Sequence, residues 1–185
     1  MRFITTLLSL AAASISTAAV VDKHHAASAN TLSSHARGYG PQCLFPADAD
    51  KLTDAYVRMI TKWDDADAKY LSDDKFKDTS DSINILAGIP LGSVTFPSKQ
   101  AFLDHMHTAP DNLPIQATFK TFSCEYISLI WTVTFGAGKP VRGITILGAS
   151  KSSSGNWQIK SIDMEMNTMA YLYDIGGSYK MPGQP

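Results

Sequence analysis

The sequence predicts an α+β domain, with three N-terminal helices packed on a curved, mostly antiparallel sheet. A stripe of apolar residues at helical spacing, Leu52, Ala55, Tyr56, Met59, Ile60 and Trp63, opens the folded part. After Pro114 the period changes to two, and stretches of alternating residues follow one another across short polar or Gly-containing turns. Helices first and sequential hairpins after them place the helices on one face of the sheet.

The chain of 185 residues does not begin with fold. Residues 1–19 read as a signal peptide: a basic start at Arg2, an apolar run over 3–13, and small residues Ser16, Thr17, Ala18 and Ala19 for cleavage. The run is shorter than the roughly 18 apolar residues that suggest a membrane span, so the mature protein is expected to be secreted and extracellular. Residues 20–42, rich in Ala, Ser and His, form an arm without hydrophobic period. The domain is expected over 43–177, and the Gly/Pro-rich residues 178–185 form a flexible tail. A net charge of −1 gives no electrostatic case for nucleic acid or an anionic membrane as partner.

The two cysteines are Cys43 and Cys124. In an oxidising compartment an isolated pair defaults to a disulfide, and the alternative, a reactive thiol, has no supporting pattern of neighbours.

Within the domain, Pro46 and Asp48 open the first helix, Asp48 as its N-cap. A second short helix follows over 64–71, with Asp64, Asp65 and Asp67 read as a solvated break. A calcium loop would need oxygen ligands at alternate positions around a glycine turn, and that pattern is missing. Residues 76–82 are extended, 83–88 a brief turn or helix, and Ile89-Pro90-Leu91-Gly92 a loop. Ser98 caps a third helix over 99–108, stopped by Pro110, with Phe102, Leu103 and Met106 inward. Strands are expected over 115–125, 126–135, 141–149 and 157–169, the last within a segment read as extended from 157 to 173.

That last segment carries the candidate chemistry. By strict alternation Asp163, Glu165 and Asn167 share a face with Trp157, Ile159 and Ser161, while Ile162, Met164 and Met166 occupy the other. If the polar face looks into a pocket, desolvation would raise a carboxyl pKa and suit Glu165 or Asp163 to acid–base work. The alternative is that this face is solvated and Ile162, Met164 and Met166 fill the interior. A bulge could exchange the faces partway. His105 and His107 sit two apart on a helix and make a poor metal pair. His105 is either a proton shuttle aimed at the pocket or a surface group near the helix end. Asp78, Ser80 and Asp81 read as loop braces, or else as a polar rim for the pocket. Tyr56, Trp63, Tyr70 and Trp131 are core aromatics whose polar tips would orient a ligand. There is no nucleophile elbow, P-loop, dinucleotide fingerprint or zinc spacing, so neither cofactor nor metal is expected.

The run DTSDSINILAGIPLGSVTFPSKQAF, residues 78–102, resembles a motif of fungal secreted NTF2-like (nuclear transport factor 2-like, SnoaL-type cone fold) domain proteins. The ending MEMNTMAYLYDIGG, residues 164–177, resembles that family's Glu-aromatic-Asn-Ser pattern, with Met166 in place of the aromatic residue and Thr168 in place of Ser. The positions of Cys43 and Cys124 match as well. The resemblance covers residues 43–177 and implies a conical cavity between the concave sheet and the helices. Relatives of this fold use such a cavity for cofactor-free dehydration, isomerisation or cyclisation, or for binding alone, so the fold does not choose among them.

The expected function is binding of a small apolar or aromatic molecule in the cone by Tyr56, Trp63, Tyr70, Trp131 and Asn167. Acid–base chemistry of the lyase, isomerase or cyclase type would fall to Glu165, Asp163 and His105. The alternative is a non-catalytic secreted interaction or effector-like protein. A homodimer through the sheet is compatible with either.

Overall fold

The computed structural model describes residues 42–109 and 113–183. The leader and nearly all of the arm expected before Cys43 lie outside the described residues, as do the last two residues of the tail.

Helix α1, Pro46–Thr61, buries Ala49, Leu52, Thr53, Ala55, Tyr56 and Met59, which is the stripe read from the sequence. It starts earlier than an Asp48 N-cap would place it. Pro46 takes the first helical position, which has no N–H to satisfy, and Asp48 sits in the first turn, its carboxylate accepting from the Phe45 amide at 3.3 Å. Trp63 falls beyond the helix end. Cys43 is disulfide-bonded to Cys124 across 81 residues, and the Leu44 amide donates to the Cys124 carbonyl beside it at 2.9 Å. The start of α1 is thereby stapled to the sheet. In the chain-entropy model, closing a loop of that length is worth about 4–5 kcal/mol.

The second helix is a 3-10 turn, Asp65–Tyr70, capped by Asp64, which accepts from the Ala66 amide at 2.8 Å. The acidic cluster around it is not uniformly solvated. Asp67 is buried and holds the Arg58 guanidinium through two bonds, Nη2–Oδ1 at 2.8 Å and Nε–Oδ2 at 3.2 Å. Strand β1, Lys77–Thr79, runs directly into helix α2, Asp81–Ala87. Ser80 caps α2 by accepting from the Ile83 amide at 3.1 Å. A buried chain of hydrogen bonds then fixes the following loop: the Ser80 amide to Thr95 Oγ1, Thr95 Oγ1 to Asn84 Oδ1, and Asn84 Nδ2 to the Ser93 carbonyl. Helix α3, Lys99–Met106, is capped by Ser98 as expected and buries Phe102 and Met106.

Strands β2 (Gln116–Phe122), β3 (Tyr126–Val133), β4 (Val141–Lys151) and β5 (Trp157–Met166) form the antiparallel meander. Strand β1 joins it in parallel against β5, giving the order β1-β5-β4-β3-β2. The described fold is therefore α+β, with a five-stranded, mostly antiparallel sheet. On β3 and β4 the buried face carries Ile127, Leu129, Trp131 and Val133 opposite Val141, Gly143, Thr145 and Leu147.

Two features of the last segment differ from strict alternation. The pairing of β5 with β4 steps from Ala149↔Ile159 to Gly148↔Ser161, leaving Lys160 as an extra residue. This bulge exchanges the faces, so Ile159 and Ile162 are both buried although they lie an odd number of residues apart. The strand also ends at Met166. Asn167 accepts from the Ala170 amide at 3.1 Å and starts helix α4, Thr168–Asp174, where the alternating pattern suggested continued strand. Asn is a strong N-cap, and the residues after it contain no helix breaker.

Candidate functional site

One face of the sheet and the helices line a cavity of about 300 Å³ that is partly open to solvent. Its sheet side is formed by Trp131, Val133, Ile162, Met164 and Met166, and its helix side by Tyr56, Ile60, Ile83, Leu86, Phe102 and Met106, with Tyr171 and Ile175 from the C-terminal segment. The wall is almost wholly apolar.

The polar tips of the two large aromatics are already used. The Trp131 indole N–H donates to Thr145 Oγ1 at 2.9 Å, and the Tyr56 hydroxyl meets the same oxygen at 3.0 Å. Thr145 has no solvent exposure, so this trio fixes both rings. Burial pushes the Tyr56 hydroxyl pKa well above the ordinary tyrosine range, with the Asp78 charge adding to it and the Thr145 bond opposing it. Gly143 makes the arrangement sterically feasible. It pairs with Trp131 across the strands, and a Cβ at Gly143 would overlap the indole.

Asp78 is the group that stands out. It is 4% exposed, lines the cavity from β1, and its Oδ1 has no hydrogen-bond partner among the described residues. Desolvation, with a smaller contribution from the nearby Asp163 charge, raises its pKa to about 7. The main chain explains its position. The Asp78 amide donates to the Phe96 carbonyl, the Thr95 and Phe96 amides donate back to the Asp78 carbonyl, and Asp78 pairs with Ile162 on β5. The backbone braces the loop, but the Asp78 side chain bonds no local amide as a loop brace would; it goes inward and lines the cavity, which is nearer the alternative of a polar lining. A sequence signal for this existed. Asp78 alternates with Phe76 and Ser80, which are both buried, whereas Lys77 points the other way.

His105 also lines the cavity, at its solvent-exposed mouth. Its ring lies over Phe96 with centroids 4.8 Å apart, and desolvation lowers its pKa. His107 is elsewhere, bonded to Asp65 at 2.8 Å and edge-on to Trp63.

The other candidates from the sequence have different positions. Asp163, Glu165 and Asn167 are exposed and none lines the cavity, because the Lys160 bulge turns Ile162, Met164 and Met166 inward instead. Glu165 accepts from the Asp81 amide at 2.8 Å and the Ser82 amide at 2.9 Å, and also from the Ser82 hydroxyl. It thus neutralises the N-terminus of α2, where backbone N–H groups lack partners within the helix. Asn167 is occupied in capping α4. Of the expected ligand-contacting aromatics, Tyr56 and Trp131 are on the wall. Trp63 donates to Asp65 at 3.0 Å, and Tyr70 lies beneath the cations of Lys51, Arg58 and Lys69, so neither reaches the cavity. The structure therefore brings together Tyr56, Trp131 and His105, adds Asp78, and places Glu165, Asp163, Asn167, Trp63 and Tyr70 outside. Among the described residues no cluster of His, Cys, Asp or Glu could hold a metal, and no helix is long and apolar enough to cross a membrane.

The architecture has relatives among solved structures. It is similar to a protein from Shewanella denitrificans named as a SnoaL-like polyketide cyclase, with TM-score 0.52 and 9% identity, covering 71% of this chain and 98% of that one. It is similar to nuclear transport factor 2 from Cryptosporidium parvum, with TM-score 0.52 and 12% identity, covering 70% of this chain and 98% of that one. At such identities the likeness is one of fold. No curated protein sequence matches the chain. The NTF2-like domain profile matches residues 42–178, the whole span from the staple to the end of the last helix, and the chain belongs to the NTF2-like family.

Proposed function

We propose that this protein binds a small apolar or aromatic molecule in the cone cavity, and that it does so outside the cell. The observation that carries the reading is the cavity itself: about 300 Å³, apolar on nearly every side, with one buried carboxyl on its wall among the described residues. Concave apolar sites with few convergent polar groups are what small-molecule binding requires. Export is supported by the leader-like residues 1–19 and by the Cys43–Cys124 disulfide. Acid–base chemistry of the kind implied by the name of the SnoaL-like cyclase would run through Asp78 with His105, since these are the carboxyl and imidazole on the wall. Glu165 and Asp163 are assigned to the outside of the sheet. The outer face carries exposed Phe119 on β2 and exposed Ile144 and Ile146 on β4, with the part-buried Ile130 of β3 between Phe119 and Ile144, which suits the pairing of two copies through the sheet.

The test is saturation-transfer NMR with toluene or indole on the purified protein and on Met164→Trp, which fills the cavity from the sheet side. Saturable binding by the wild type and its loss in the folded variant are expected. Binding that survives unchanged in Met164→Trp would overturn the reading, as would no binding to the wild type.

A further inference from the structure

Among the described residues the cavity wall holds one buried carboxyl and no fixed positive charge to pair with it. Among the described residues no lysine or arginine lines it, desolvation holds the His105 imidazole toward its neutral form, and the polar atoms of Tyr56 and Trp131 are spent on Thr145. Asp78 is buried with a partnerless oxygen, and the charge that acts on it, Asp163 on β5, has the same sign. Phe96, Phe102 and Trp131 also line the cavity, and aromatic rings carry a negative quadrupole above their faces. The fixed field of the cavity is therefore complementary to a cation and hostile to an anion. A neutral apolar ligand would leave that field unused, and the buried carboxyl would remain a cost to the fold.

Resting on the proposed cavity-binding reading, we infer that the ligand is a small arylalkylamine, its ring among the wall aromatics and its ammonium group on the Asp78 carboxylate. The ammonium supplies the counter-charge that the described wall lacks. Where Asp78 carries a proton in the empty cavity, that proton leaves to solvent as the ammonium binds. The complex then holds one positive and one negative charge.

The experiment uses the intact folded protein and four probes of similar size: phenethylamine, phenethyl alcohol, hydrocinnamate and toluene, titrated by NMR or calorimetry near neutral pH. Phenethylamine should bind at least about 10-fold more tightly than phenethyl alcohol, in line with a charge-assisted hydrogen bond. Hydrocinnamate should bind most weakly. Asp78→Asn should abolish the preference for the amine over the alcohol. Equal affinity for amine and alcohol in the wild type overturns the inference without any variant, and so does an amine preference that persists in Asp78→Asn. Toluene separates the two levels of the argument. Toluene binding without amine preference sinks the amine and leaves the cavity reading intact, whereas no toluene binding to the wild type sinks both.

Discussion

Replacing Asp78 by Asn keeps the shape of the side chain and removes a buried charge, so its effect on stability should depend strongly on pH. The ordinary Asp value is 3.8 and the folded value is about 7. Between those limits the folded state holds the proton and the unfolded state has lost it. Folding then binds a proton, and stability falls as pH rises. Below about pH 4 both states are protonated and the carboxyl carries no electrostatic penalty. Above about pH 7 both are ionised and the full penalty applies. The gap of roughly three pH units converts to about 4 kcal/mol. Asn carries no charge at any of these pH values, and its amide is left without partners in much the same way as the neutral acid. The stability of Asp78→Asn minus that of wild type should therefore be near zero at pH 4 and rise to about 4 kcal/mol in favour of the variant by pH 8. Urea or guanidinium denaturation of both proteins across that range measures it, and taking the difference cancels the titration of the shared groups. A difference that is flat with pH, or largest in acid, would refute the placement of a buried, unpaired carboxyl at this position.

Further outcomes follow from the same geometry. Glu165→Gln should destabilise by about 1–2 kcal/mol, because the N-terminus of α2 loses a charged acceptor, while binding of neutral aromatics in the cavity stays unchanged; thermal melts and NMR titration read the two effects separately. Gly143→Ala should cost about 1–3 kcal/mol by driving a methyl group into the Trp131 indole, and it should weaken cavity binding as the ring shifts, which Trp fluorescence and ligand titration would register. Replacing Cys43 and Cys124 together by Ser should cost about 2–5 kcal/mol by denaturant titration under non-reducing conditions. Ile144→Lys should convert any sheet-to-sheet dimer to monomer in sedimentation velocity while leaving the melting temperature within a few degrees, since the residue is exposed in the single chain.

Much of the fold was legible because its signals are local and repeated. The α1 stripe, the Ser98 cap and the alternation on β3 and β4 each rest on several residues that agree, so one ambiguous position does not change the outcome. The disulfide was legible from compartment and count. The start of α1 and the α4 helix were less so, because each depends on a single capping choice. Phe45-Pro46 competes with Asp48 at one end of the chain, and Asn167 interrupts an alternating pattern at the other. Trp63 and Tyr70 were placed near a ligand only because they are aromatic. Their polar or cationic neighbours lie near in sequence, so local partners satisfy them before any cavity can.

The candidate site turned on one residue. If β5 kept its two-residue period from Trp157 onward, the side that buries Ile159 would bring Ser161, Asp163 and Glu165 inward, and the cavity would be acidic and open to proton chemistry by either carboxylate. Lys160, as the extra residue at the bulge, reverses this from Ser161 on, so the inward side becomes Ile162, Met164 and Met166. The sequence bears a trace of the reversal, since one nominal face begins with Trp157 and Ile159 and ends with Asp163 and Glu165, a mixture that no single environment would accept. Turning those two acids out leaves the cavity with one carboxyl among the described residues. Among the described residues Asp78 has no second carboxyl on the wall with which to share a proton. Its protonation therefore follows whatever enters the cavity, and this is why Asp78, rather than the acidic face of the last strand, is where ligand chemistry and fold stability are coupled.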